Sequence, residues 1–180
     1  MFGVHYIQFF KTEQPPKNGS AASDISFATV KTIEDIPAAL RTKAWDEKVF
    51  VERLAAGHYA VVGYWQETPA HISWLADDYL RIDEIGFEWR MPEGVGCIYD
   101  CRTLPAFRGK GIYPAALMYV CERTLGQQHR QVWIYCEKGN KSSLRGIQKA
   151  GFEYAGSVKS LTFRYKLVWR SDRKLKFLKS

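Results

Sequence analysis

The segment that most restricts the fold is residues 96–125, where a strand-like run closes on Leu104-Pro105, passes through Ala106-Phe107-Arg108-Gly109-Lys110-Gly111-Ile112-Tyr113 and continues into a helix-forming apolar stretch. Two glycines, bracketed by Arg108 and Lys110 and set just before a helix, are what a backbone needs to bend around a phosphate. Without Cβ atoms, Gly109 and Gly111 can take positive φ and bring their N–H groups up to an oxyanion, and the first free N–H groups of the helix add the positive end of its dipole. The pattern predicts a pyrophosphate cradle. A plain glycine turn with two solvated basic residues satisfies the same letters, because short glycine motifs recur by chance.

A second segment narrows the choice. Val132-Trp133-Ile134-Tyr135-Cys136 is a β-branched and aromatic run that predicts a strand, followed by a turn at Glu137-Lys138-Gly139-Asn140, a helix over residues 142–150, and Gly151-Phe152. The order is strand, phosphate loop, helix, strand, helix, strand. Here the chain resembles the GNAT superfamily of acyl-CoA-dependent N-acyltransferases. Arg108-Gly109-Lys110-Gly111 fits the family's Arg/Gln-x-x-Gly-x-Gly/Ala signature, and Asn140-Lys141-Ser142-Ser143-Leu144 with Lys149-Ala150-Gly151-Phe152 fits its later Asn-x-x-(Ala/Ser) and Gly-Phe landmarks. The match is close over residues 95–156 and holds only in outline before them.

The resemblance implies an α+β, three-layer fold: a mixed, mostly antiparallel central sheet flanked by helices, with one parallel strand-helix-strand step at the CoA site. It implies that the two parallel strands splay apart, so that a pantetheine arm can lie between them against backbone near Cys101 to Leu104. Acetyl-CoA is then the acyl-donor substrate, held by Thr103, Leu104, Arg108, Gly109, Lys110, Gly111, Ile112, Tyr113, Asn140 and Ser143, with no metal required. Two departures stand out. Tyr113 replaces the last small residue of the signature, and Ile147 replaces a tyrosine that many members carry as the proposed acid for the departing CoA thiolate.

At 180 residues, 46% of them apolar, the chain can bury a core of its own, and a single domain over residues 1–180 is expected. No apolar run approaches the roughly 20 residues of a bilayer-spanning helix. The opening residues lack the charged start of a secretory signal, so a cytoplasmic protein without stable membrane insertion is expected. Cys97, Cys101, Cys121 and Cys136 contain no Cys-x-x-Cys pair and read as small core residues in a reducing compartment. From Lys159 onward eight basic residues face Asp172 alone, which accounts for the whole net charge of +7. The period of two in Leu161, Phe163, Tyr165, Leu167 and Trp169 predicts a strand there. A basic tail remains from about residue 170, read as a solvated, frayed end and not as a nucleic-acid site.

Elsewhere, residues 12–23 read as a surface loop after a first apolar strand, and residues 33–57 as two helices, the second stopped by Gly57. Residues 59–66 and 71–76 read as a hairpin turning at 67–70, residues 80–90 as one further strand, and residues 96–104 as the strand that delivers the loop. For proton handling, Asp100 is a candidate base beside the acyl site and Tyr135 a candidate acid. Asp100 and Arg102, two apart on a strand, share a face and can simply neutralise each other, and a bulge there would reverse which face meets the slot. Glu84, Glu88, His71 and Tyr99 compete for these roles.

The expected activity is transfer of an acetyl group from acetyl-CoA to a primary amine by direct attack in a ternary complex. The alternatives are a longer acyl group from acyl-CoA or an acyl carrier protein, and a CoA-binding sensor without chemistry. The acceptor, a small-molecule or protein amine, is not identified by any motif, and a homodimer is left open.

Overall fold

The computed structural model describes residues 2–15, 24–163, 166–173 and 175. Eight strands form one sheet in the order β10-β9-β1-β8-β7-β4-β3-β2. They are β1 (Phe2–Thr12), β2 (Ile25–Val30), β3 (Tyr59–Trp65), β4 (Thr68–Ala76), β7 (Val95–Thr103), β8 (Gln131–Glu137), β9 (Glu153–Phe163) and β10 (Lys166–Arg173). A separate hairpin pairs β5 (Tyr79–Ile82) with β6 (Phe87–Arg90). Among the described residues three α-helices flank the sheet: α1 (Asp46–Ala55), α2 (Ile112–Thr124) and α3 (Lys141–Lys149). Every adjacent pair in the large sheet is antiparallel except β7 and β8. Helix α2 crosses between those two, as a parallel pair requires.

The sheet separates two cores. Ile7, Phe9, Phe50, Trp74, Cys97 and Tyr99 pack on the side of α1 and the β5–β6 hairpin, while Ile98, Leu117, Val120, Ile134 and Ile147 pack under α2 and α3. This is the mixed, three-layer α+β arrangement expected from the sequence. The position of β1 was not foreseen. It lies inside the sheet, antiparallel to both β8 and β9, which explains why a chain-terminal strand carries fully buried Ile7 and Phe9.

Several boundaries differ from expectation for local reasons. The first of the two predicted helices shrinks to a 3-10 turn, Ala38–Leu40, because Pro37 has no N–H to donate and, at ψ 136°, stands outside helical conformation just before it. The β3–β4 hairpin turns at Gln66 and Glu67, both at positive φ (46° and 67°), and not at 67–70. Pro69 is accommodated inside β4 because the pairing slips between Gly63 and Tyr64. Residues 80–90 are two short strands around a 3-10 turn, Asp83–Ile85, with Gly86 at φ 54° reversing the chain. The C-terminal run is a hairpin of β9 and β10, so strand continues to Arg173, and Leu175 beyond it is buried in the α1-side core. Of the loop predicted at residues 12–23, positions 16–23 lie outside the described residues, as do positions 176–180 of the predicted tail.

Candidate active site

β7 and β8 pair only from Val95↔Gln131 to Ile98↔Ile134. Beyond that point β7 stays paired with β4 as far as Thr103, and β8 stays paired with β1 as far as Glu137. The facing edges over 99–103 and 135–137 therefore have no strand partner, and the sheet opens into a V. Five residues of free strand edge span roughly 16 Å. Such an edge offers its N–H and C=O groups to any extended chain laid along it.

A bulge sits at the start of the opening. Tyr99 pairs with Trp74 and Arg102 with Ile72, so Asp100 and Cys101 together oppose Ser73. Asp100 takes φ 42°, which an L-residue adopts at a cost of about 1–3 kcal/mol. The extra residue inverts the alternation. Cys97 and Tyr99 face the α1 layer before the bulge, and Asp100 and Arg102 face it after; Cys101 joins the core under α2 and α3.

Asp100 is held in a chain of charges. Its Oδ2 accepts from Arg53 Nη1 at 2.6 Å, and its Oδ1 lies 3.6 Å from Arg102 Nε. Arg102 Nη1 in turn donates to Asp46 Oδ2 at 2.8 Å. Burial works to raise the Asp46 carboxyl, but the Arg102 hydrogen bond and the Lys43 backbone N–H outweigh it and hold the group below its ordinary range. Arg53 has no sequence signature, being an ordinary basic residue near the end of a helix. Tyr135, on the free segment of β8, turns toward the same layer and packs on Phe9 with ring centroids 5.6 Å apart. Burial, and then Cys97, Glu84, Tyr99 and Asp100, push its phenol well up, so it stays protonated at neutral pH.

Of the competitors, His71, Tyr99 and Glu88 are otherwise engaged. The His71 ring is fully buried, with Nδ1 2.8 Å from Thr103 Oγ1 and Nε2 2.6 Å from Ser73 Oγ, and burial pulls its pKa down to about 3. The Tyr99 hydroxyl lies 2.6 Å from His58 Nδ1. Glu88 is exposed beside Arg81, whereas the exposed Glu84 carboxylate is near enough to act on Tyr135, and only its backbone carbonyl is bonded, accepting from Ser160.

On the other face the glycine loop takes the form the sequence predicts. After β7 comes a 3-10 turn, Pro105–Phe107, then Arg108, Gly109 at φ 80°, Lys110, and Gly111 at φ 78° as the N-cap of α2. Nothing lies within 4 Å of where a Cβ would stand on either glycine, and no side chain caps the helix. Pro114 sits in the first turn, where its missing N–H costs nothing. Arg108 Nε donates to the Thr103 carbonyl at 3.3 Å, and Lys110 Nζ sits 4.3 Å from the Trp65 ring centroid. Asn140 caps α3, its Oδ1 accepting from Ser143 N at 3.0 Å and Ser142 Oγ at 2.9 Å.

The loop and the N-termini of α2 and α3 thus meet at the open end of the sheet, with Tyr113 Oη 3.4 Å from Ser143 Oγ. Leu104 and Thr103, like Arg108, Asn140, Ser143 and Tyr113, already have internal bonds. Leu104 N donates to Ala70 O and its carbonyl accepts from Phe107 N, while the Thr103 hydroxyl is taken up by His71. Ile112 is buried, so only its backbone can face a ligand, and Ile147 is fully buried in the core. Among the described residues no group of three His, Cys, Asp or Glu is placed to hold a metal ion, and no helix is long and apolar enough to cross a membrane. A cavity of about 420 Å³ lined by Lys31, His58, Tyr59, Asp77, Glu93 and His129 lies at the opposite end of the sheet, by the start of β7.

The sequence profile described as Acetyltransferase (GNAT) family matches residues 31–152. No functionally curated protein matches the chain. Solved structures share its fold at low identity. An acetyltransferase from the GNAT family of Colwellia psychrerythraea superposes with a TM-score of 0.58 at 11% identity, over 89% of this chain and 56% of that one. A GCN5-related N-acetyltransferase of Kribbella flavida gives 0.55 at 13% identity, over 89% and 58%. A tandem GNAT protein from the clavulanic acid biosynthesis pathway gives 0.57 at 12% identity, over 94% and 54%. The chain therefore spans little more than half the length of these structures.

Proposed function

The chain belongs to the acetyltransferase (GNAT) family, and from that membership we propose that it transfers an acyl group, acetyl in the first instance, from acyl-CoA to a primary amine. The observation that carries the proposal is the V between β7 and β8 leading into the uncapped glycine loop at the start of α2. The loop N–H groups and the dipole of α2 suit a pyrophosphate, with Arg108 and Lys110 beside it. The free β7 edge suits an amide-bearing arm, and an N–H in the opening suits the oxyanion that forms on the thioester carbonyl. Attack requires a neutral, aligned amine, which then loses a proton.

We assign the acceptor to the α1 side, the layer toward which Asp100 and Tyr135 turn. Asp100 would take the amine proton through a water, and Tyr135 would donate to the departing sulfur. The strained φ of Asp100 favours a functional role, because strain of this kind collects at sites that use it. A second reading, a CoA-binding domain without chemistry, is favoured by Ile147, whose buried alkyl chain has no proton to offer. With all four cysteines free, we place the chain in a reducing compartment. Calorimetric titration of CoA, followed by thiol release from acetyl-CoA over a panel of amino sugars, polyamines, amino acids and peptides, tests both readings. CoA binding with no thiol release on any amine would favour the second; no CoA binding would reject both.

A further inference from the structure

Tyr113 stands where the loop signature has a small residue, and the structure shows what the ring does. It lies on α3. A Cβ on Gly146 would fall 2.6 Å from Tyr113 Cε1 and closer still to Cδ1, so only a glycine at 146 leaves space for it. Its hydroxyl is 3.4 Å from Ser143 Oγ, and its ring centroid is 6.0 Å from that of His71. Cys101 on β7 and Cys136 on β8 share one core cluster with the ring. Tyr113 therefore spans from α2 to α3 across the free edges of both splayed strands, over the opening that a pantetheine arm would have to occupy.

We propose that Tyr113 governs admission of the acyl donor: its ring closes the gap between α2 and α3 in the donor-free protein and turns out of the Gly146 notch to let the donor arm lie down. The proposal rests on the acyl-CoA reading. Turning the ring breaks one long hydroxyl contact with Ser143, a weak restraint at 3.4 Å. What holds the closed state is packing against Gly146 and burial of the ring. If the closed state makes up about nine-tenths of the donor-free molecules, apparent donor affinity falls roughly tenfold below that of the open form.

Two measurements on the full chain test this. The first needs no donor: the rates at which a thiol reagent labels each cysteine are resolved by peptide mass spectrometry. Tyr113→Ala should speed labelling of Cys101 and Cys136 by roughly tenfold, the same open-state fraction. Cys97 in the α1-side core and Cys121 on α2 should not change. Gly146→Ala, which evicts the ring, should act in the same direction, and Tyr113→Phe, which keeps it, should not. Unchanged labelling, or a rise at all four cysteines, overturns the gate. The second measurement is calorimetric titration of CoA, in which Tyr113→Ala and Gly146→Ala should bind several-fold more tightly than the wild type. Equal or weaker affinity in both variants overturns the gate and leaves the acyl-CoA reading standing. Failure of every form to bind CoA overturns that reading, and the donor gate with it, even if labelling changes.

Discussion

Asp100 Oδ2 lies 2.6 Å from Arg53 Nη1, joining the bulge in β7 to helix α1 beneath the opening between β7 and β8. The two residues are 47 positions apart. Both side chains are partly shielded, at 32% and 20% exposure, so the pair is stronger than a fully solvated one and weaker than a buried one.

Asp100→Asn isolates the charge, because Asn tolerates the left-handed conformation that Asp100 adopts. If Asp100 takes the amine proton, turnover should fall about a hundredfold or more with CoA affinity unchanged. Turnover within about twofold of the wild type, with a lower melting temperature, would confine Asp100 to orienting Arg53 and Arg102.

Gly111→Asp should abolish CoA binding while the fold persists. The position is open, so the substitution adds a negative charge where phosphate must approach without creating a clash. Gly111→Ala is the companion, expected to cost about 1 kcal/mol of stability from its φ of 78° and much less affinity. Calorimetry and thermal melts separate the two contributions. Equal CoA affinity for the wild type and Gly111→Asp would reject the phosphate-loop assignment.

His71 makes stability depend on pH. Its pKa in the folded chain, about 3, lies below the ordinary histidine value, so on acidification the unfolded chain takes up a proton that the native chain refuses. The contribution is complete above about pH 6.5 and is lost as pH falls from there toward 3, at up to about 1.4 kcal/mol per pH unit. His71→Gln should be less stable at pH 7 but show a shallower decline over that window in urea unfolding. Parallel slopes for the two proteins would show that other groups control the acid limb.

At the C-terminus, Leu175 is 1% exposed within the α1-side core, which revises the expectation of a frayed end from residue 170. Leu175→Ala should cost about 2–5 kcal/mol, as truncation of a buried leucine does. Removing residues 176–180 should leave turnover and CoA affinity within about twofold, and any DNA binding should be weak and lost at moderate salt. Submicromolar, sequence-dependent DNA binding that vanishes on the deletion would overturn the view of the basic end as a solvated one.

The sequence by itself determined the strand, glycine loop, helix and following strand, because each rests on local chemistry: Gly109 and Gly111 at positive φ, Pro114 in a first turn, Asn140 three residues before the N–H that it caps. The same locality made the family signature readable. What only the tertiary structure decided depends on partners far away in the chain. The insertion of β1 between β8 and β9 follows from the need to bury Ile7 and Phe9 on a sheet whose other strands form much later. The bulge that turns Asp100 toward Arg53 arises from a mismatch of one residue between β4 and β7, and neither strand shows it alone. Tyr113 and Gly146 each look like a local departure. Together they are one ring and the space made for it, which exists only once α2 and α3 are packed side by side.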